Sequence, residues 1–507
     1  MSDRTFEEIT AVLESRVNLE RQRSFSLDGM EARLGELRIL LKKLEHPEMR
    51  YRAVHVAGTK GKGSTCILLE SVLREHGLTV GRYSSPHLYT VRERFTINGE
   101  ICSIDDFTEG MGELCEEIQR LAPVLFPQLT YFELTTLFAF RYFAEKNIDI
   151  AVLETGMGGR LDATNVCRPE LTLITSISFD HIEQLGPTLT DIAAEKGGII
   201  KEGVPFLSTV CRPEVQDVLR NIAKQRNAPA YFLGEAFTVH LEPLNDEDNL
   251  SENPAFRYQT FSDYFPIEYR AEQLRLTMPG FHQIRNASLA AAAAVLLLKQ
   301  TETQKLRSGL LKGTLPARVE IFPPADNKPA VIFDGSHNRS SVRALLKTVH
   351  QKFPNARIFM VFGISLGKDA EGMLTDLLVS CTRLVLTQYS DNPRAFPPPG
   401  LKTIVSSLPD APQNLKNEFC MLATENGENK IMEDSVFLGG AFIAPLYAER
   451  VQSTAAVSSN NIQVEVIDDC RNALLSCLKA ASPDDVICVA GSLFLAAELR
   501  KYYSCLR

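Results

Sequence analysis

"VAGTKGKGST" (Val56–Thr65) stands between the end of an apolar run, "RAVH", and an amphipathic stretch, "CILLESVLREHG". Glycine and lysine concentrate where a buried strand gives way to a helix, and Gly77 stops that helix. The strict phosphate-loop pattern G-x-x-x-x-G-K-[ST] fails here. Residue 56 is Val where the first glycine should stand, and Gly63 separates Lys62 from Ser64. What survives is a strand, a glycine-rich turn, a lysine and a hydroxyl at a helix start. Backbone N–H groups and the helix dipole at such a point favour an anion. Lys62 supplies a point charge for β/γ-phosphates, and Ser64 or Thr65 a hard oxygen for Mg²⁺. The alternative is a tight turn with a solvated lysine. The lysine and serine at the phosphate-loop place weigh against it.

Working outward, Leu27, Met30, Leu34, Leu37, Leu41 and Leu44 recur at steps of three and four, one face of a helix that Pro47 stops. "IDIAVLE" (148–154) and "LTLITSIS" (171–178) are β-branched, apolar runs that fit central parallel strands. Helical patterns such as "TYFELTTLFAFRYFAEK" alternate with them, which predicts an α/β, doubly wound, mainly parallel sheet of the P-loop type. Around 235–275 the pattern breaks into a polar, acidic excursion, "LEPLNDEDNLSENPAF". A second alternation runs through "PAVIFDG", "ARIFMVFG", "RLVLTQ", "VEVID" and "DVICVAG". It predicts a smaller C-terminal α/β domain. The expected division is 1–317 and 318–507, with an irregular insertion at about 396–460.

The 507 residues exceed what one core holds. The net charge of −9 argues against a nucleic-acid or anionic-membrane surface spread over the molecule, so an anionic substrate needs a local basic site. The apolar run "LAAAAAVLLLK" is too short to span a bilayer. Eleven scattered cysteines without a C-x-x-C pair fit reduced thiols. With no signal-type segment at the N-terminus, a cytoplasmic location is expected, and a monomer, with no nucleic-acid or membrane partner.

Several chemistry-bearing residues fall at strand ends, where α/β proteins face their ligands. Glu154 closes one strand and could hold Mg²⁺; pairing with Arg160 is the structural alternative. Asp180 and His181 follow another. Lys196 in "AAEKGGIIK" reads from spacing alone as a snorkelling surface lysine. His282, Gln283 and Asn286 open an apolar helix, where capping competes with a nucleotide contact. Arg318 lies at the domain junction, and Asp334 and His337 follow a strand of the second domain.

"HVAGTKGKGS", "SSPHL", "RERFTING", "LETGMGGRLDATN", "SISFDH", "AAEKGGIIK", "MPGFHQIRNA", "PARVE" and "FDGSHN" occur in this order. Together they resemble the folylpolyglutamate synthase/dihydrofolate synthase family of the Mur-ligase superfamily, from about residue 25 to 370 and more weakly through "VAGSLFLAAEL".

The resemblance implies an ATP-dependent carboxylate–amine ligase working through an acyl phosphate. Its ATP loop falls on Gly58, Thr59, Gly61, Lys62, Gly63, Ser64 and Thr65. Its Mg²⁺ ligands fall on Ser85, Glu154 and His181. A second Mg²⁺ would be held through a carbamylated Lys196, which reverses the spacing-only reading. Asn286, Arg318 and Asp334 match nucleotide contacts, and His337 lies near the amino-acid site. Lys62, Lys196 and His337 are the implied catalytic groups, and "LDATN" and "TYFELT" line the pterin side. The implied partners are ATP, L-glutamate and folate or dihydropteroate. Addition of glutamate to the γ-carboxylate of reduced folate leads. Glutamate addition to dihydropteroate, alone or on the same enzyme, is the alternative, and a non-catalytic ATP-binding module is a remote one. A cell-wall Mur ligase would need an N-terminal UDP-binding domain, and only ~50 residues precede the loop, against a domain mode of roughly 100–150. The chain departs from the family pattern at Lys60 (usually Asn), Ala317, Ser336 and Arg339, and most in 396–460.

Overall fold

A computed structural model describes residues 5–18, 30–242, 253–325, 327–390, 392–408 and 462–506. The first sheet has eight strands: β1 (Arg52–Ala57), β2 (Val80–Tyr83), β3 (Phe95–Ile97), β4 (Glu100–Ile101), β5 (Ile150–Glu154), β6 (Leu171–Ile174), β7 (Phe206–Ser208) and β8 (Ala230–Phe232). Their order is β4-β3-β2-β5-β1-β6-β7-β8. From β2 to β8 the pairing is parallel, and β3 and β4 add an antiparallel edge. β1, β5 and β6 are buried along nearly their whole length, which explains why they read as continuous apolar runs without alternation.

Helix Lys62–Glu75 follows β1 and packs in one core cluster with helix Phe281–Leu298 and helix Thr303–Lys312. The approach to the third helix is close: a methyl on Gly309 would lie 2.5 Å from Val72 Cα. Gly309→Ala would therefore force the helices apart, an overpacking cost of about 1–3 kcal/mol. Phe281–Leu298 is, at 18 residues, long and apolar enough to cross a membrane, which corrects the length argument made from its apolar run. Its alanine-rich faces are instead spent inside the fold, with Ala287 and Leu289 to Ala294 fully buried.

Two expectations need correction. The 235–275 excursion is ordered where described: β9 (Phe237–Leu241), β10 (Phe256–Thr260) and β11 (Arg270–Leu274) form an antiparallel three-stranded sheet. Polar residues on its outer face hid the strands, while Phe256, Tyr258 and Leu274 bury inward. The start of the 396–460 stretch is also regular, because Pro398–Ser407 is a helix with proline in its first turn, where a missing N–H costs nothing. The rest of that stretch lies outside the described residues.

The last sheet has six strands: β12 (Glu320–Phe322), β13 (Ala330–Phe333), β14 (Ile358–Phe362), β15 (Arg383–Gln388), β16 (Gln463–Asp469) and β17 (Val486–Ala490). The order is β12-β13-β17-β14-β15-β16, parallel except for β12. The architecture is mixed α/β with a large parallel-dominated sheet followed by a second α/β sheet. The C-terminal ends of β1, β5 and β6 in the first sheet and of β13, β14 and β17 in the last send their loops into one cleft of about 770 Å³.

Candidate active site

The glycine loop is strapped to the segment that follows β6. Thr59 N–H donates to Ser176 O at 2.6 Å and Thr59 Oγ1 to Ser178 O at 3.1 Å. Thr175 Oγ1 and Ser176 Oγ both donate to the Lys60 carbonyl, at 2.7 and 3.0 Å. Only glycine fits at two positions. A Cβ on Gly58 would meet Thr175 Oγ1 at 1.8 Å, and one on Gly61, whose φ is +89°, would meet Asn286 Oδ1 at 2.3 Å. Gly61 caps the helix without a side chain, and the first helical bond runs from Thr65 N to Gly61 O at 2.8 Å. The preceding N–H groups of that turn have no carbonyl four residues back, the arrangement that binds anions.

Every residue proposed from the sequence to hold nucleotide or Mg²⁺ or to act in catalysis lines this cleft except Thr65, which is fully buried. Lys62 Nζ and Lys196 Nζ each donate to the Gly58 carbonyl at 3.1 Å. Lys196 is 4% exposed, so the spacing-only picture of a surface lysine is wrong. It sits on the inner side of helix Leu189–Gly197, where a methyl on Gly159 would touch the Lys196 carbonyl. Burial, then the charge of Lys62, pushes its amine down to about 7.

Glu154 ends β5 beside β1, opposite Val56 in register. Its Oε2 accepts the Ser85 N–H at 3.3 Å. Among the described residues it has no ion pair, and Arg160 bonds Glu195 instead, at 2.9 Å. Burial pushes the Glu154 carboxyl up, against Lys62, the Ser85 N–H and Arg318. His181 opens a short helix at φ +53°. Burial in the cleft and the charges of Lys368, Lys196 and Lys60 lower its pKa, against Asp180; its side chain is 37% exposed, so cleft water moderates the effect.

On the other wall, Asp334 accepts the N–H groups of Val319 and Ser336, both at 2.8 Å, and so holds the turn after β13 against the Arg318 segment. His337 Nδ1 faces Gly335 O at 2.8 Å and therefore carries the proton, leaving Nε2 to accept from Lys60 at 2.6 Å. Asn286 Nδ2 donates to Gln283 Oε1 at 2.9 Å above the glycine loop. At the apolar end, Leu34, Leu37, Phe132, Leu161 and Ala163 join Thr130 and Asp162. Lys368 and Ser492 also line the cleft and were not picked out from the sequence. The available signal was position alone: each follows a buried strand, β14 or β17, within a few residues of its end.

The residues fit a nucleotide phosphate and a hard cation. Lys60, Lys62 and Lys196 bring three ammonium groups to the glycine loop at the start of helix Lys62–Glu75. Among the described residues, Thr65 Oγ1 and Ser178 Oγ are buried with no partner, and Glu154 is a buried carboxylate with no ion pair. Among the described residues no three His, Cys, Asp or Glu side chains cluster as a ready metal site, so a cation here would depend on mixed donors and on the nucleotide.

Residues 56–294 match the Mur ligase middle domain and residues 317–417 the Mur ligase, glutamate ligase domain. The chain is 38% identical over 372 residues to the dihydrofolate synthase/folylpolyglutamate synthase of Bacillus subtilis, covering 72% of this chain and 83% of that one. It is 30% identical over 370 residues to the folylpolyglutamate synthase of Lacticaseibacillus casei, with the same shares of each. The folylpolyglutamate synthase structure from Thermotoga maritima superposes with a TM-score of 0.72 at 27% identity, over 99% of this chain and 97% of that one. The fold also matches E. coli FolC in complex with DHPP and ADP, TM-score 0.74 at 24% identity, over 98% of each chain. A buried strand, a glycine loop under three lysines, and a second sheet facing it thus have a shared origin: the chain belongs to the folylpolyglutamate synthase/dihydrofolate synthase family of the Mur ligases and is an ATP-dependent ligase.

Proposed function

We propose that the enzyme adds L-glutamate to the γ-carboxylate of a reduced folate, with dihydropteroate as the alternative acceptor on the same site. The observation that carries this reading is the convergence of the phosphate loop, Glu154, Lys196 and His337 on one cleft that also has an apolar end at Phe132 and Leu161. The pterin ring occupies that apolar end. Residues 1–317 hold ATP and folate, and 318–507 the incoming amino acid.

The acceptor carboxylate attacks the γ-phosphorus of ATP, the bond to ADP breaks, and an acyl phosphate forms. Little covalent help is required; positioning and charge neutralisation supply most of the rate. Gly58, Thr59, Gly61, Gly63, Ser64 and Thr65 shape the loop, and Lys62 moves from the Gly58 carbonyl to the β/γ-phosphates. Asn286, Arg318 and Asp334 orient the nucleotide. Ser85, Glu154 and His181 are the residues that would hold Mg²⁺, and a carbamylated Lys196 would hold a second. When bound, Mg²⁺ neutralises the charge that develops on the transferring phosphoryl group. Lys196 suits carbamylation because a pKa near 7 leaves much of the amine neutral, and the neutral amine adds to CO₂ with loss of one proton. In the second step the glutamate amine attacks the acyl carbonyl and phosphate leaves, with His337 beside the amine. Water would destroy the acyl phosphate, so the cleft has to close.

Phosphate release with ATP and glutamate tests this, comparing tetrahydrofolate with dihydropteroate. Glutamate-dependent turnover with either acceptor supports the ligase reading and their ratio chooses between acceptors. Turnover with neither removes it.

A further inference from the structure

Asp180 joins the two walls of the cleft through one carboxylate. Its Oδ2 accepts Lys60 Nζ at 3.0 Å, from the glycine loop, and its Oδ1 accepts Lys368 Nζ at 2.6 Å, from the segment after β14. The side chains are 9%, 23% and 12% exposed for Asp180, Lys60 and Lys368. Lys60 comes from the same wall as Asp180 and by itself compensates the charge. Lys368 is therefore surplus to neutralisation; what it adds is attraction between the two walls, in a site too buried for salt to screen much.

The link also orients its neighbours. Asp180 Oδ1 accepts the His181 N–H at 3.1 Å, at a residue whose φ is +53°. Lys60, by donating to His337 Nε2, leaves the ring proton on Nδ1, facing Gly335 O. The Lys60 side chain is long enough to reach both Asp180 and, at His337, the opposite wall.

We propose that Lys60, Asp180 and Lys368 are positioning residues that latch the cleft shut over the acyl phosphate and set the His337 ring before the amine attacks. The role rests on the ligase reading above. Without the latch, water adds to the acyl carbonyl, the C–O bond to phosphate breaks, and the starting carboxylate and free phosphate return. ATP is then spent with no amide formed.

The test is phosphate released per glutamate incorporated, in the parent, Lys368→Met, Lys368→Arg and Lys60→Asn. The parent should stay near one. Lys368→Met should raise the ratio several-fold while ATP consumption persists, Lys60→Asn less so, and Lys368→Arg should return it toward one. If Lys368→Met lowers phosphate and product in parallel, the residue is a substrate contact only and the latch is overturned. Small-angle scattering of the ADP-loaded proteins needs no pterin acceptor. A larger radius of gyration for Lys368→Met than for the parent supports the latch, and equal radii overturn it. A parent that turns over no pterin acceptor would defeat the acceptor reading and leave the scattering comparison to decide the latch.

Discussion

Lys62 and Lys196, 134 positions apart in the chain, direct their ammonium groups at the same atom, the carbonyl oxygen of Gly58, each at 3.1 Å. Two cations on one neutral oxygen in a buried cleft repel each other. The arrangement is relieved if Lys62 is drawn to phosphate and Lys196 loses its charge.

Lys196→Ala should be nearly inactive, and acetate should partly restore it by supplying a small carboxylate where the carbamate would stand. Activity of the parent should also fall when CO₂ is stripped at low pH, because protonation removes the amine that CO₂ needs. Parental kcat/KM in Lys196→Ala would return this residue to a purely structural role.

Lys62→Ala should leave the thermal midpoint unchanged, since its ammonium bonds only one loop carbonyl among the described residues. Ligation should drop by roughly 10²–10³, the scale for removing one charge-stabilising donor. Turnover at saturating ATP equal to the parent's would remove the phosphate-loop assignment.

Glu154→Gln and His181→Ala should each raise the Mg²⁺ concentration for half-maximal rate, by about tenfold or more. Titration with Mg²⁺ at fixed ATP reads this directly. A variant that follows the parent's curve does not involve a ligand. Glu154→Gln should also leave the fold intact, because the carboxylate it replaces is buried and, among the described residues, has no ion pair.

His55 gives a stability prediction away from the chemistry. It is fully buried in β1, with Nε2 2.8 Å from Thr164 Oγ1. Burial, then Lys201, pushes its pKa down to about 3, against about 6.5 when unfolded. Between those values the unfolded chain binds the proton and the folded one does not. Stability is thus fully present above pH 6.5 and falls by about 1.4 kcal/mol per unit as pH drops below it. Urea unfolding from pH 7 to 5 should show a steeper loss in the parent than in His55→Asn. Equal slopes would mean that His55 titrates normally in the fold.

Local order could be read from the chain because each local signal has a short-range cause. The glycine loop, the stop at Gly77 and the apolar runs of β1, β5 and β6 follow from backbone freedom and burial acting within a few residues. Nine motifs in register then carried the family, while position at strand ends and a helix start picked out Glu154, His181 and Asn286, which line the cleft. The antiparallel strands β9 to β11 escaped because one polar face broke their apolar pattern, and helix Pro398–Ser407 because its prolines read as irregular chain.

Side-chain environments were decided by the tertiary structure alone. Nothing in "AAEKGGIIK" says that Lys196 is buried; that depends on helix Leu189–Gly197 turning one face onto a glycine loop 138 residues earlier. Arg160 could have paired with Glu154 or with Glu195, and folding chose Glu195. Lys60, Asp180 and Lys368 meet only because the strand ends of two sheets face one another across the cleft. Sequence sets periodicity and turn chemistry, which are local. Charge pairing, desolvation and the pKa values that follow from them depend on distances that no spacing along the chain encodes.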